Sequence, residues 1–119
     1  MTREFDLEKR TTEFAKAVIR ICKNLPNNPI NNRLVGQVVG SAGSIGANYR
    51  EANDALGKKD FIQRMRIARR EAKESLHWLE LVLEANSDND SYIQPLIKEC
   101  EELKNILRKE ENAVIQSET

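Results

Sequence analysis

Between Val35 and Asn86 the chain carries two long runs of helical periodicity separated by Gly57, and this stretch most restricts what the sequence can fold into. In the first run, Val35, Val38, Ala42, Ile45, Tyr49, Ala52 and Leu56 keep heptad spacing, the pattern of a bundle seam. In the second, Phe61, Met65, Ala68, Ala72, Ser75, Leu79 and Val82 do the same, flanked by Ile62, Leu76 and Leu83. Gly57 is expected to end the first helix in a left-handed cap, with the next beginning at Lys58–Asp60.

The rest of the first run is unusual. Gly36, Gly40, Ser41, Gly43, Ser44, Gly46 and Ala47 occupy its other faces. A glycine inside a helix costs about 0.5–1 kcal/mol relative to alanine, so four of them need a reason. Close approach of another backbone is the leading one, either within the bundle or from a second subunit. A frayed or broken helix is the alternative.

Helical patterns also flank this pair. Leu7, Thr11, Phe14, Val18, Ile21 and Leu25 form a stripe widened by Ala15, Ile19 and Cys22. Pro26 and Pro29 stop it, and Asn31 or Asn32 can cap the helix that follows. After the turn-rich run Asn86–Ser91 comes a stripe of Ile93, Leu96, Cys100, Leu103, Leu107 and Val114, interrupted by Glu110. Pro95 is tolerable only near the first turn of that helix. The expected helices span about 4–25, 33–56, 58–86 and 91–115, with QSET as a disordered tail. Four long helices on short loops imply an all-α, antiparallel, up-down-up-down four-helix bundle, a single domain over 1–119.

Nineteen Lys and Arg balance nineteen Asp and Glu, so any electrostatic partner must be recognised by local clustering. No window approaches a membrane span. The opening MTREFDLEKR is charged where a signal peptide is apolar, so a cytoplasmic location is expected. Cys22 and Cys100 match no metal or redox spacing and lie on apolar faces as small hydrophobes.

Three groupings could carry chemistry. Ser41, Ser44, Asn48 and Glu51 line one edge of the second-helix seam, while Glu71, Glu74 and Trp78 flank the seam of the third. Packed together they would make a polar network that fixes register, a partner site or, least favoured, a catalytic site. A di-metal carboxylate centre would need two Glu-x-x-His pairs, but His77, which follows Glu74, is the one histidine of the chain and falls on the solvent side. Neither a nucleophilic triad nor a phosphate loop is supported, because no base serves Ser41 or Ser44 and no GK[ST] follows the glycines. No metal or cofactor is expected.

The third grouping is basic. Lys58, Lys59, Arg64, Arg66, Arg69, Arg70 and Lys73 stand against Asp60 and Glu71, after which the helix turns acidic through Glu74, Glu80 and Glu84. Arg66, Arg70 and Lys73 share the solvent side with His77. Such a gradient is a solvated surface, a head-to-tail subunit contact, or a phosphate-binding patch multiplied by symmetry. No aromatic interleaves with the arginines, so base stacking is not supported.

The run S-I-G-A-N-Y-R-E-A (Ser44–Ala52), then Asp60-Phe61-Ile62 and R-E-A-K-E-S-L-H-W-L (Arg70–Leu79), resembles the bacterial four-helix-bundle family of proteins encoded within 23S rRNA intervening sequences. The Phe5–Leu7 opening and the Pro26 turn fit as well. Ser44, Asn48, Glu51, Glu71, Glu74 and Trp78 are where these motifs meet the polar line. The resemblance implies a bundle that assembles as a homopentameric ring. It also implies kinship with accessory proteins of diversity-generating retroelements, in which a basic pentamer holds nucleic acid and a reverse transcriptase. The expected function is therefore a non-enzymatic oligomer that binds structured RNA or DNA through Lys58, Lys59, Arg66, Arg69, Arg70 and Lys73. The alternative is a protein-interaction scaffold ring with no nucleic-acid role.

Overall fold

A computed structural model describes residues 6–117, which form α1 (Leu7–Lys23), α2 (Pro29–Asn53), α3 (Lys58–Ala85) and α4 (Asp90–Gln116), with a 3-10 turn at Ser87–Asn89 before α4. Residues 4 and 5 of the first expected helix, with Phe5, and the last two residues of the expected tail lie outside the described residues. Partners across the helices run in opposite senses. Asn31 meets Asn86 and Ser41 meets Ser75, while Arg69 meets Glu111 and Cys100 meets Ala72. Glu8 meets Arg50 across α1 and α2, and Arg10 meets Glu99 across α1 and α4, which closes an antiparallel four-helix bundle. The molecule measures 50 × 28 × 19 Å. Among the described residues, no helix is long and apolar enough to cross a membrane.

The expected seams form the core. Val38, Ala42, Ile45, Tyr49 and Ala52 of α2 are buried against Met65, Ala68, Ala72, Leu79 and Val82 of α3. Ile93, Leu96, Cys100, Leu103 and Leu107 of α4 and Leu7, Phe14 and Val18 of α1 complete it. Val35, Phe61, Val114 and Ile21 are only half-buried toward the bundle ends, and Ile19 lies outside the α1 stripe, exposed.

Four features of the helix ends differ from the sequence expectation, although α3 begins at Lys58 as expected. Helix α2 begins at Pro29 because Asn28 caps it, its Oδ1 accepting from the Asn31 amide at 2.8 Å, while proline at the first position gives up no intrahelical bond. Asn31 is thereby freed from capping and turns inward. At the other end α2 stops at Asn53, so Leu56 is fully exposed instead of extending the seam. Gly57 has extended backbone (φ −162°) and serves as the N-cap position of α3, so the α2–α3 turn closes without any left-handed residue. Helix α4 starts at Asp90, which places Pro95 just inside the helix, beyond its first turn.

Two buried amides pin the end of the bundle where α2 begins and α3 ends. Asn31 Nδ2 donates to Asn86 Oδ1 (3.0 Å) and Pro26 O (2.9 Å). Asn86 Nδ2 returns a bond to Asn31 Oδ1 (2.8 Å) and another to Val82 O (2.9 Å). Buried polar groups are tolerated when satisfied in this way, and a reciprocal pair admits one register of α2 on α3.

Candidate nucleic-acid interface

The basic residues of α3 divide into two sets. Arg66 and Arg69 reach across to α4, where Arg66 Nε donates to Glu111 Oε2 at 2.9 Å and Arg69 Nε to Glu111 Oε1 at 2.8 Å. Glu111 is 4% exposed and takes the core position that the sequence had left to Glu110, which is half-buried. Burial pushes the Glu111 carboxyl upward, but the bonds and charges of Arg69 and Arg66 outweigh it and hold the group below the ordinary carboxylate range. A carboxylate needs such partners to lie in a core.

The second set faces outward. Lys59, Arg70 and Lys73 are exposed and make no ion pair among the described residues, while Lys58 reaches only the Ser117 hydroxyl at 3.3 Å. Helical geometry puts Lys59, Arg66, Arg70 and Lys73 on one outer side of α3, over about 21 Å of axis. Arg69 stands apart from that strip, toward α4. An open depression lined by Lys59, Asp60, Ile62, Gln63 and Arg66 lies at its N-terminal end.

The polar line differs from its expected form. Asn48 Nδ2 donates to Ser44 O within α2 (2.9 Å), and the Trp78 indole donates to Glu74 Oε2 within α3 (3.2 Å). Glu51 is exposed, and neither Glu51 nor Glu71 accepts a hydrogen bond among the described residues. Ser44, Asn48, Glu71 and Trp78 are half-buried. The polar bridge between the two helices is instead the buried Ser75 hydroxyl donating to Ser41 Oγ at 2.8 Å. Burial, and then the charge of Glu74, push the Glu71 carboxyl up. Gly46, Arg50 and Asn53 lie toward α1, and Arg69 and Ala72 toward α4, so the line occupies the opposite, outer edge of the α2–α3 pair.

The glycines divide as well. A Cβ on Gly46 would sit 2.9 Å from Thr11 Oγ1, so close packing of α1 on α2 accounts for that position. A Cβ on Gly36, Gly40 or Gly43 would meet nothing within 4 Å. With Ala47, these three make an uncovered stripe of small residues along α2.

Among the described residues, no group of three or more His, Cys, Asp or Glu is placed to hold a metal. Cys100 is buried, its thiol pushed up to about 12 by burial and donating to Ala72 O. Cys22 is half-buried and free.

Fold and surface together define an all-helical bundle whose candidate functional groups lie on outer helix faces. The chain belongs to the 23S rRNA-intervening sequence protein family, which it matches over residues 3–109. A solved structure of a protein of unknown function from the S23 ribosomal protein family of Bacteroides thetaiotaomicron is similar to it. The two share 30% identity and superpose with a TM-score of 0.73, covering 84% of this chain and 93% of the other. No curated protein sequence matches the chain significantly.

Proposed function

We propose that the protein acts without catalysis, as a homo-oligomer that binds structured RNA or DNA in the cytoplasm through phosphate contacts from the outer face of α3. The observation that carries this reading is the strip of Lys59, Arg66, Arg70 and Lys73, which concentrates positive charge in a chain of zero formal net charge. Of the six basic residues first singled out, Lys59, Arg70 and Lys73 would contact phosphates freely and Lys58 with the loss of one hydroxyl bond. Arg66 and Arg69 would do so with the groups that Glu111 leaves over.

Assembly multiplies such a patch, since each added subunit brings another set of phosphate contacts and steepens the salt dependence. The uncovered Gly36–Gly40–Gly43 stripe is suited to close backbone approach, and the family resemblance points to a pentamer. The family's name makes a 23S rRNA stem-loop the first ligand to try. Anisotropy of a labelled stem-loop is the test, with sedimentation of the same sample giving the subunit number. The reading requires salt-sensitive binding that the double variant R70E/K73E weakens, and binding unaffected by that reversal would end it.

A second reading is favoured by the unbridged polar line. Half-buried Asn48, Glu71 and Trp78 make no bond from one helix to the other, and this edge could receive a protein partner. An Asn48→Ala variant that keeps its assembly but loses a captured partner would favour this reading. Loss of folding would return the line to a structural role.

A further inference from the structure

The two arginines that reach α4 are held in an unusual way. A buried carboxylate can be satisfied by one guanidinium gripping both oxygens, but Glu111 instead takes one Nε–H from each of two arginines, at 2.9 and 2.8 Å. Each guanidinium is therefore bound by its inner edge. The Nη donors of both make no bond among the described residues, and the side chains are 40% exposed at Arg66 and 27% at Arg69.

Free arginine side chains lose rotamer entropy when they grip a ligand. Here much of that freedom is already gone, because a core carboxylate fixes both. The cluster still carries an excess positive charge, two guanidiniums against one carboxylate. Arg70 and Lys73, in the next turn of α3, add to the local field without ion-pair partners among the described residues.

We propose that Arg66 and Arg69, fixed by Glu111, form a preorganised binding site for a phosphate oxyanion, with Glu111 as the positioning residue. A tetrahedral phosphate has enough oxygens to accept from both guanidiniums at once, which suits it better than a planar carboxylate. The physiological ligand, a phosphodiester, rests on the nucleic-acid reading above, whereas the oxyanion site itself can be probed with inorganic phosphate alone.

Positioning and simple charge make opposite predictions for Glu111→Gln. Removing the carboxylate adds one net positive charge, so by Coulomb attraction alone phosphate would bind more tightly. If Glu111 positions the arginines, the carboxamide loses one of two acceptors and phosphate binds more weakly, by about three- to tenfold. The experiment follows the arginine Nε–H resonances of the full ¹⁵N-labelled chain during titration with inorganic phosphate at constant ionic strength. The Arg66 and Arg69 signals are expected to move together on one saturable curve, weakened in E111Q. Arg69→Lys, which keeps the charge and loses the fork, gives the same weakening and serves if E111Q does not fold. Equal or tighter binding in the folded variant, or shifts that never saturate, would overturn the proposal. RNA binding without a phosphate response at Arg66 and Arg69 sinks this site alone. A phosphate response without RNA binding sinks the nucleic-acid reading alone.

Discussion

Replacing Gly36, Gly40 and Gly43 together by alanine is expected to stabilise the isolated subunit. Each position is in a helix interior, and an added Cβ there meets nothing within 4 Å. Relief of glycine's backbone entropy is worth about 0.5–1 kcal/mol per site, or about 1.5–3 kcal/mol for the three. For a domain of this size that corresponds to a rise in Tm of about 5–15 °C. Gly46→Ala is the control, because its Cβ would press to 2.9 Å on Thr11 Oγ1, whose hydroxyl donates to Leu7 O at 2.7 Å. Overpacking of about 1–3 kcal/mol would exceed the entropic gain and leave that variant less stable. Urea denaturation followed by helical circular dichroism, at a dilution where the wild type is monomeric, reads both effects. Sedimentation at higher concentration shows whether the triple variant still assembles, and loss of assembly with a gain in monomer stability is the expected pair of results. A triple variant less stable than wild type as a dilute monomer would refute the reasoning.

Three further outcomes follow from buried or half-buried polar groups. Asn31→Ala leaves the Asn86 amide buried and under-bonded, so it is expected to cost about 1–3 kcal/mol in urea melts. The Asn31→Ala/Asn86→Ala pair should cost less than the two singles combined, and strict additivity would deny the reciprocal bond. The Glu111 carboxyl is depressed from its ordinary value of 4.5, so its stabilisation is full above that pH and lost as pH falls through the folded-state value. The stability advantage of wild type over E111Q therefore shrinks in melts below about pH 4.5, and a pH-independent difference would contradict the assignment. Glu71 is shifted the opposite way, so the fold opposes its ionised form at neutral pH and relents on acidification. Glu71→Gln is expected to raise Tm slightly at pH 7, and a clear fall would mean that the carboxylate has a partner the subunit alone does not supply.

Three-and-four spacing identified most of the bundle core, because a stripe on a helix must be covered and only a bundle covers four of them. Periodicity says which residues share a face, however, and not what lies opposite. It could not distinguish Gly46, wedged against Thr11, from Gly36, Gly40 and Gly43, which face open space. Nor could it show that Glu111, rather than Glu110, turns inward, since the partners that allow this lie 42 and 45 residues away. Asn31 read as a cap because Asn28 and Asn31 have the same local chemistry, and only Asn86, 55 residues on, decides which one is buried. Leu56 fitted the α2 seam, but the helix had already ended at Asn53. Of the candidate interface, the basic strip was legible in the sequence, and the division of its arginines between Glu111 and solvent was not.

The most direct test of the nucleic-acid reading is the salt dependence of affinity for a 23S rRNA stem-loop. Each neutralised phosphate contributes about −0.9 to the slope of log K against log salt for a duplex, and about −0.7 for single strands. Contacts from the outer strip alone, Lys59, Arg66, Arg70 and Lys73 of one subunit, predict a slope near −3 to −4, steeper when Lys58 and Arg69 or further subunits of an oligomer engage. The variant R70E/K73E is predicted to flatten the slope by about 2 for each engaged subunit and to weaken binding at every salt concentration. A flat slope in the wild type, or one that the variant leaves unchanged, would contradict the account and leave the polar edge of α2 and α3 as the place to look for a partner.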